Sequence, residues 1–129
     1  MKKLLTIFTL VMGIQCANAQ DVAHLGEPAV LTGKIMMIKS LIDEPPYNES
    51  NYPAITLDKT LTVTGYDDFD EYKHINTKLI QLADNNSGIQ YSRSNGKRIR
   101  VKCSELFGEH SAWHNTKVLC LVDNAKIIR

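Results

Sequence analysis

From Arg98 to Cys103 cationic and apolar residues alternate one for one, with Arg98, Arg100 and Lys102 set against Ile99, Val101 and Cys103. Successive side chains of an extended strand point to opposite faces, so the pattern predicts a strand with one face buried and the other in water. The decorated connection 104–116 follows, and a second apolar run from Thr116 to Val122 carries Cys120. Two strands of this kind must bury one face each, which calls for a sheet closed or covered on its apolar side. The chain has 129 residues, 43% hydrophobic and 22% charged, an ordinary globular composition that fits one small domain and excludes collagen-like and disordered classes.

Lys2 and Lys3 precede an apolar run from Leu4 to Ile14, and Ala17-Asn18-Ala19 supplies a small-x-small cleavage site. This is the pattern of a secretory signal peptide over residues 1–19, with a mature chain starting at Gln20. The run falls short of the roughly 20 apolar residues that span a bilayer. No later stretch replaces it, so a periplasmic or secreted protein without membrane insertion is expected. Lipidation at Cys16 is the competing reading, but Gly13-Ile14-Gln15-Cys16 departs from a lipoprotein signal at the long polar Gln15. Once Cys16 leaves with the signal, Cys103 and Cys120 remain as a pair in an oxidising compartment, where a disulfide is the expected state. After residue 19, 13 basic and 14 acidic groups remain, a net charge of −1 that excludes a generally basic nucleic-acid binder.

Residues 20–28 read as an N-terminal extension and 29–129 as a single domain. Ala29 to Met37 predicts a first strand bent at Gly33. Pro45, Pro46 and Pro53, with Asn48, Ser50 and Asn51, make 39–53 a long acidic loop. Residues 54–63 resume with Ile55, Leu57, Leu61 and Val63, interrupted at Asp58-Lys59, which reads as a strand with a bulge. The run 67–71 is a charged connector, Thr77 to Leu82 a third strand, and 89–95 has room for a helical turn. Five short strands with a break between the third and fourth predict a mainly-β fold, a small five-stranded OB-like barrel with one disulfide. A small β-sandwich is the alternative.

The C-terminal half also resembles a known family. Gly96, Lys97, Val101, Leu106, Phe107, His110, Ser111, His114, Thr116, Val118 and Leu119 follow a pattern of Gly-Lys, an alternating strand, Leu-Phe and His-Ser-x-x-His-x-Thr-x-Val-Leu. This is similar to bacterial exported proteins that carry domain of unknown function forty-four thirty-one. The resemblance runs from about Ile55 to Val122 and is strongest from Gly96 onward. It implies an exported barrel-like domain and brings no activity with it. Trp113 and Asn115 stand where that family's loop is richer in His, which weakens a metal site here.

The connection 104–116 gathers two of the four His and the only Trp, and function concentrates on such loops. His110 and His114 form a His-x3-His pair to which Glu105 or Glu109 would add an oxygen. Zinc sites take three or four held ligands, so no cofactor is expected, and zinc or copper at His110 and His114 is the alternative. Ser104 or Ser111 beside His110 lacks any placement device for a nucleophile, so no enzyme is expected. The acidic run 67–71 lacks the spacing of a calcium loop. Binding is the better class. In an OB-like barrel the first-to-second and fourth-to-fifth strand connections flank one face, which here are 39–53 and 104–116. Lys39 stands against Asp43, Glu44, Glu49, Glu105 and Glu109, and Tyr47, Tyr52, Phe107 and Trp113 supply aromatic area. The expected binding residues are Phe107, Glu109, His110, Trp113, His114, Tyr47 and Tyr52. Such a face suits a protein partner, a cationic hydrolase or toxin being the concrete version, ahead of a glycan. Arg93, Lys97, Arg98, Arg100 and Lys102 form a basic stripe that reads as the wet side of a strand.

Overall fold

A computed structural model describes residues 21–41, 45, 50–108 and 115–129. The protein is mainly β, with strands β1 (Val22–His24), β2 (Ala29–Lys39), β3 (Asn51–Tyr66), β4 (Tyr72–Ala83), β5 (Arg98–Gly108) and β6 (Val118–Ile128). A single 3-10 turn, Tyr91–Arg93, lies between β4 and β5. All six strands belong to one sheet ordered β1-β3-β2-β5-β6-β4, and β3 also pairs with β4. Five strands therefore pair in a ring, β2-β3-β4-β6-β5 and back to β2. Every contact of the ring is antiparallel except β4 with β6, which is parallel.

The alternation predicted for β5 is present: Ile99, Val101 and Cys103 are buried while Arg100 and Lys102 are exposed. Past Cys103 the inward side changes parity, so that Leu106 and Gly108 are the buried positions. The reason is a pair of compensating irregularities. Lys102 pairs with Asn124 and Cys103 with Val122, which leaves Asp123 as an extra residue on β6. Glu105 then pairs with Leu121, which leaves Ser104 as an extra residue on β5. The Ser104 hydroxyl donates to the Leu121 carbonyl at 3.2 Å across that bulge. A bulge restores register after local loss of pairing and lets both strands keep an apolar face inward.

Gly33 is where β2 changes partners. Ala29 to Lys34 pair with β5, and Gly33 to Lys39 pair with β3. A Cβ at Gly33 would lie 2.0 Å from the Thr56 carbonyl oxygen, so only glycine admits the close approach of the two backbones. Across the ring, β3 interrupts its pairing with β4 between Thr56 and Leu61, at the Asp58-Lys59 break read from the sequence. Arg98 clasps that bulge through two bonds to the Asp58 carboxylate, at 2.9 and 2.7 Å.

Ile35, Ile55, Ile80, Ile99, Leu106, Val63, Val101 and Val118 fill the interior with Cys103 and Cys120. Full burial of each such aliphatic side chain contributes about 1.5 to 3 kcal/mol. Cys103 and Cys120 are disulfide-bonded with their Cα atoms 5.5 Å apart, tying β5 to β6. By loop entropy, a link across 17 positions contributes about 3 kcal/mol. Near the 3-10 turn, buried Tyr91 donates its hydroxyl to the Asp84 carboxylate, which the Ser87 hydroxyl also contacts. Burial, and then that carboxylate, pushes the Tyr91 phenol up.

Two strands depart from their sequence readings, β4 starting at Tyr72 where the pattern predicts 77–82 and β6 running from Val118 to Ile128 where it predicts 116–122, and three further segments differ in kind. The stretch read as an N-terminal extension holds β1, whose Val22, Ala23 and His24 pair in parallel with Thr62, Val63 and Thr64. It continues through Gly26, whose amide donates to the Leu106 carbonyl at 2.8 Å. The acidic loop is shorter at both ends, because Lys39 pairs with Asn51, Ile38 with Tyr52 and Met37 with Pro53. Pro53 is tolerated where β2 alone pairs with β3, since β4 joins only from Ala54. Finally, β5 extends through Glu105, Leu106, Phe107 and Gly108, which the sequence reading placed in the decorated connection.

Candidate functional site

Ile80, Gln81 and Leu82 are three consecutive buried residues near the end of β4. A strand buried on both faces needs a cover on each, and a buried amide side chain needs hydrogen-bond partners. The segment entering β6 meets both needs at Gln81. The Asn115 backbone amide donates to the side-chain Gln81 Oε1 at 2.7 Å, and the Gln81 backbone amide donates to the Thr116 hydroxyl at 3.0 Å. Thr116 in turn donates that hydroxyl to the Val118 carbonyl, which fixes the entry into β6. The Asn115 side chain reaches the other way, and its Oδ1 accepts the Leu41 amide at 2.6 Å. One residue beyond β2, the Ser40 amide donates to the Ser50 carbonyl at 3.0 Å and closes the base of the connection 40–50.

The β2–β3 connection therefore begins against the end of the β5–β6 connection. The β5–β6 connection departs from Gly108, which is buried so close to the β3–β4 turn that a Cβ there would stand 3.4 Å from Asp67 Cβ. It returns at Asn115. An open depression of about 360 Å³ lies between that return and β4, lined by Asn76, Thr77, Lys78, Leu79, Asn115, Thr116 and Lys117. A smaller depression of about 100 Å³ sits under the β3 bulge against Val30, Leu31 and Leu57. That volume holds a few waters and no organic ligand of ordinary size.

Two of the residues predicted to bind are strand residues. Tyr52 is half-buried on β3 opposite Ile38, and Phe107 is half-buried on β5 opposite Leu119. β3 and β5 are not neighbours in the sheet, so the pairing does not bring these two rings side by side. Tyr47, Glu109, His110, Trp113 and His114 lie outside the described residues, and with them the His-x3-His pair. Among the described residues, no group of three or more His, Cys, Asp or Glu is placed to hold a metal ion. No helix of the described residues is long and apolar enough to cross a membrane.

Sequence reasoning missed the polar cluster of Gln81, Asn115, Thr116 and Leu41. Its one visible signal is a lone Gln inside the apolar run Leu79-Ile80-Gln81-Leu82, a polar residue where strict alternation would still allow an exposed position. It also missed Asp67, which organises the turn next to Gly108. The Asp67 carboxylate accepts the Phe69 and Glu71 amides at 2.9 and 3.0 Å. The Glu71 amide holds this carboxyl below the usual value against the opposing cost of burial, with help from the Phe69 amide and the nearby Lys73 ammonium.

Residues 79–126 match a family described as a domain of unknown function (DUF4431). The matched span starts in β4 and takes in β5, the disulfide, the Gln81–Asn115 cluster and most of β6. No curated protein matches the chain. Over these residues, the chain is similar to a domain family whose description states no activity.

Proposed function

We propose that this chain is an exported binding domain whose working surface is made by the connections 40–50 and 109–117 of a small OB-like barrel. The bond from the Leu41 amide to Asn115 Oδ1 carries the reading. It joins the first-to-second and fourth-to-fifth connections of a five-strand ring, and those are the connections that flank the binding face of the oligosaccharide/oligonucleotide-binding barrel. The ring pairing supports that barrel over the two-sheet alternative. The run from His110 to Leu119 is read as the motif of family forty-four thirty-one, and residues 1–19 as the signal that exports the chain.

Asp43, Glu44, Glu49 and Glu109 with Tyr47 and Trp113 give the two connections an acidic and aromatic character. Tyr52 and Phe107 add half-buried rings from the adjoining strands. The complement of such a surface is a cationic protein, because acid–base complementarity speeds encounter and anchored aromatics supply affinity. Inhibition or immunity toward a cationic envelope-targeting hydrolase is the concrete form, with a glycan as the competing ligand. A photo-crosslinking phenylalanine analogue in place of Trp113, Leu41 or Arg100 tests this in producing cells. The same polypeptide adduct from positions 113 and 41, and none from 100, is expected. Glycan adducts alone, or an equal polypeptide adduct from position 100, would overturn the protein-partner reading.

A further inference from the structure

The turn that joins β3 to β4 presents three aromatic rings to solvent. Tyr66, Phe69 and Tyr72 are 68%, 66% and 59% exposed, three of the most exposed large apolar side chains among the described residues. Tyr66 and Tyr72 are register partners on the last rung of the hairpin, and their rings meet edge to face with centroids 5.3 Å apart. Leaving such area in water forgoes burial energy, and the turn does not rely on the rings for its shape. Asp67 builds it: the carboxylate accepts two backbone amides, the Asp67 amide donates to the Glu71 carbonyl at 2.9 Å, and the Asp70 amide donates to the Asp67 carbonyl at 3.1 Å. Asp70 takes the left-handed conformation, φ 59°, that closes the turn.

The charge along this turn is predominantly negative, four acids against one lysine from 66 to 73. Asp68, Asp70 and Glu71 are exposed between them. The one cation from 66 to 73 is Lys73, and it is held by Glu71 at 2.9 Å and Asp67 at 3.7 Å. Rigid rings interleaved with carboxylates attract a cation through both the ring faces and the acid groups. The hairpin already fixes their backbone, and Tyr66 and Tyr72 brace each other's rings, which limits the freedom lost on binding.

We propose that the Tyr66–Phe69–Tyr72 tip is a docking surface for a polypeptide segment bearing Lys or Arg. It is built from residues of the β3–β4 turn and does not depend on the reading of the connections 40–50 and 109–117. The acid surplus selects a cationic segment over an anionic lipid surface, and repels the same tip of a second copy.

Titration of the disulfide-linked protein with octa-arginine, followed by NMR, tests the proposal. Shifts should centre on Tyr66, Phe69 and Tyr72, affinity should fall with added salt, and octa-glutamate should give no response. Phe69→Ser should weaken octa-arginine binding at least tenfold with an unchanged melting temperature, and Tyr72→Ser provides a second variant should the first unfold. Ile127→Ser, at an exposed position on β6, should bind as the parent does. Shifts centred on residues 41, 50 or 115, unchanged affinity in a folded Phe69→Ser protein, or self-association through the tip without peptide binding would overturn the proposal. The crosslink at position 41 reports on the connection 40–50, so either reading can fail alone.

Discussion

Asn115 holds Leu41 across 74 positions of sequence, its carboxamide oxygen 2.6 Å from the Leu41 amide. The same residue donates its own amide to buried Gln81. The entry into β6 is thereby fastened to the core strand β4 on one side and to the start of the β2–β3 connection on the other. Asn115→Ala removes the acceptor and leaves the backbone donor in place. Loss of one such bond costs about 1 kcal/mol, so denaturation should show a small loss, and hydrogen exchange at Leu41 should speed up while Ser40 and the core strands stay protected. Asn115→Asp, which keeps an acceptor, should restore the slow exchange.

Gly33→Ala places a methyl group 2.0 Å from the Thr56 carbonyl, a backbone atom fixed in the β2–β3 pairing. Overpacking of this kind costs about 1 to 3 kcal/mol where neighbours can shift, and here the neighbour is sheet backbone. A loss of about 3 kcal/mol or more in urea denaturation, or failure to fold, is expected. A near-neutral effect would mean that β2 is not bent against β3 at this point.

Acid should unfold the protein in part through Asp67. Its carboxyl sits below 3.8 in the folded state because it accepts the Glu71 and Phe69 amides, with Lys73 close by. Its contribution is present in full above 3.8 and is lost as the pH falls through the lower folded-state value. Asp67→Asn should flatten the fall in stability below pH 3.8. Asp58→Asn should change stability little at neutral pH, since its pair with Arg98 is exposed.

Much of the ring was legible wherever a strand keeps a strict period. Ala29, Leu31 and Ile35 on β2 and Ile99, Val101 and Cys103 on β5 show their inward face directly. Legibility stopped at irregularities. The extra residue Ser104 reverses the parity of β5, so Glu105 to Gly108 read as connection although they are strand. Pro53 read as a breaker, and β3 accommodates it on a stretch paired on one side only. β1 is three residues long and is held by parallel pairing to β3, which no local period can reveal. The candidate site was legible as composition, two acidic and aromatic connections. The contact that joins them was not, because it depends on a single side chain reaching a backbone amide 74 positions away.

His110 and His114 supply two imidazoles, and the connection 104–116 adds only the carboxylates Glu105 and Glu109 as further ligands. Calorimetry with zinc and with copper on tag-free protein should give dissociation constants no tighter than micromolar, on the order of two-ligand sites. A tight stoichiometric site abolished by His114→Ala would make metal binding the function of this connection.

The proposed function requires that the fold hold the β5–β6 connection for use and not rest on it. Chemical denaturation of Trp113→Ala beside the parent protein tests this most directly and needs no knowledge of the partner. The account predicts superimposable unfolding curves, together with loss of about 2 kcal/mol or more of partner affinity once the crosslinked partner is in hand. A stability loss of about 3 to 5 kcal/mol, the cost of truncating a buried Trp, would make Trp113 part of the core and contradict the claim.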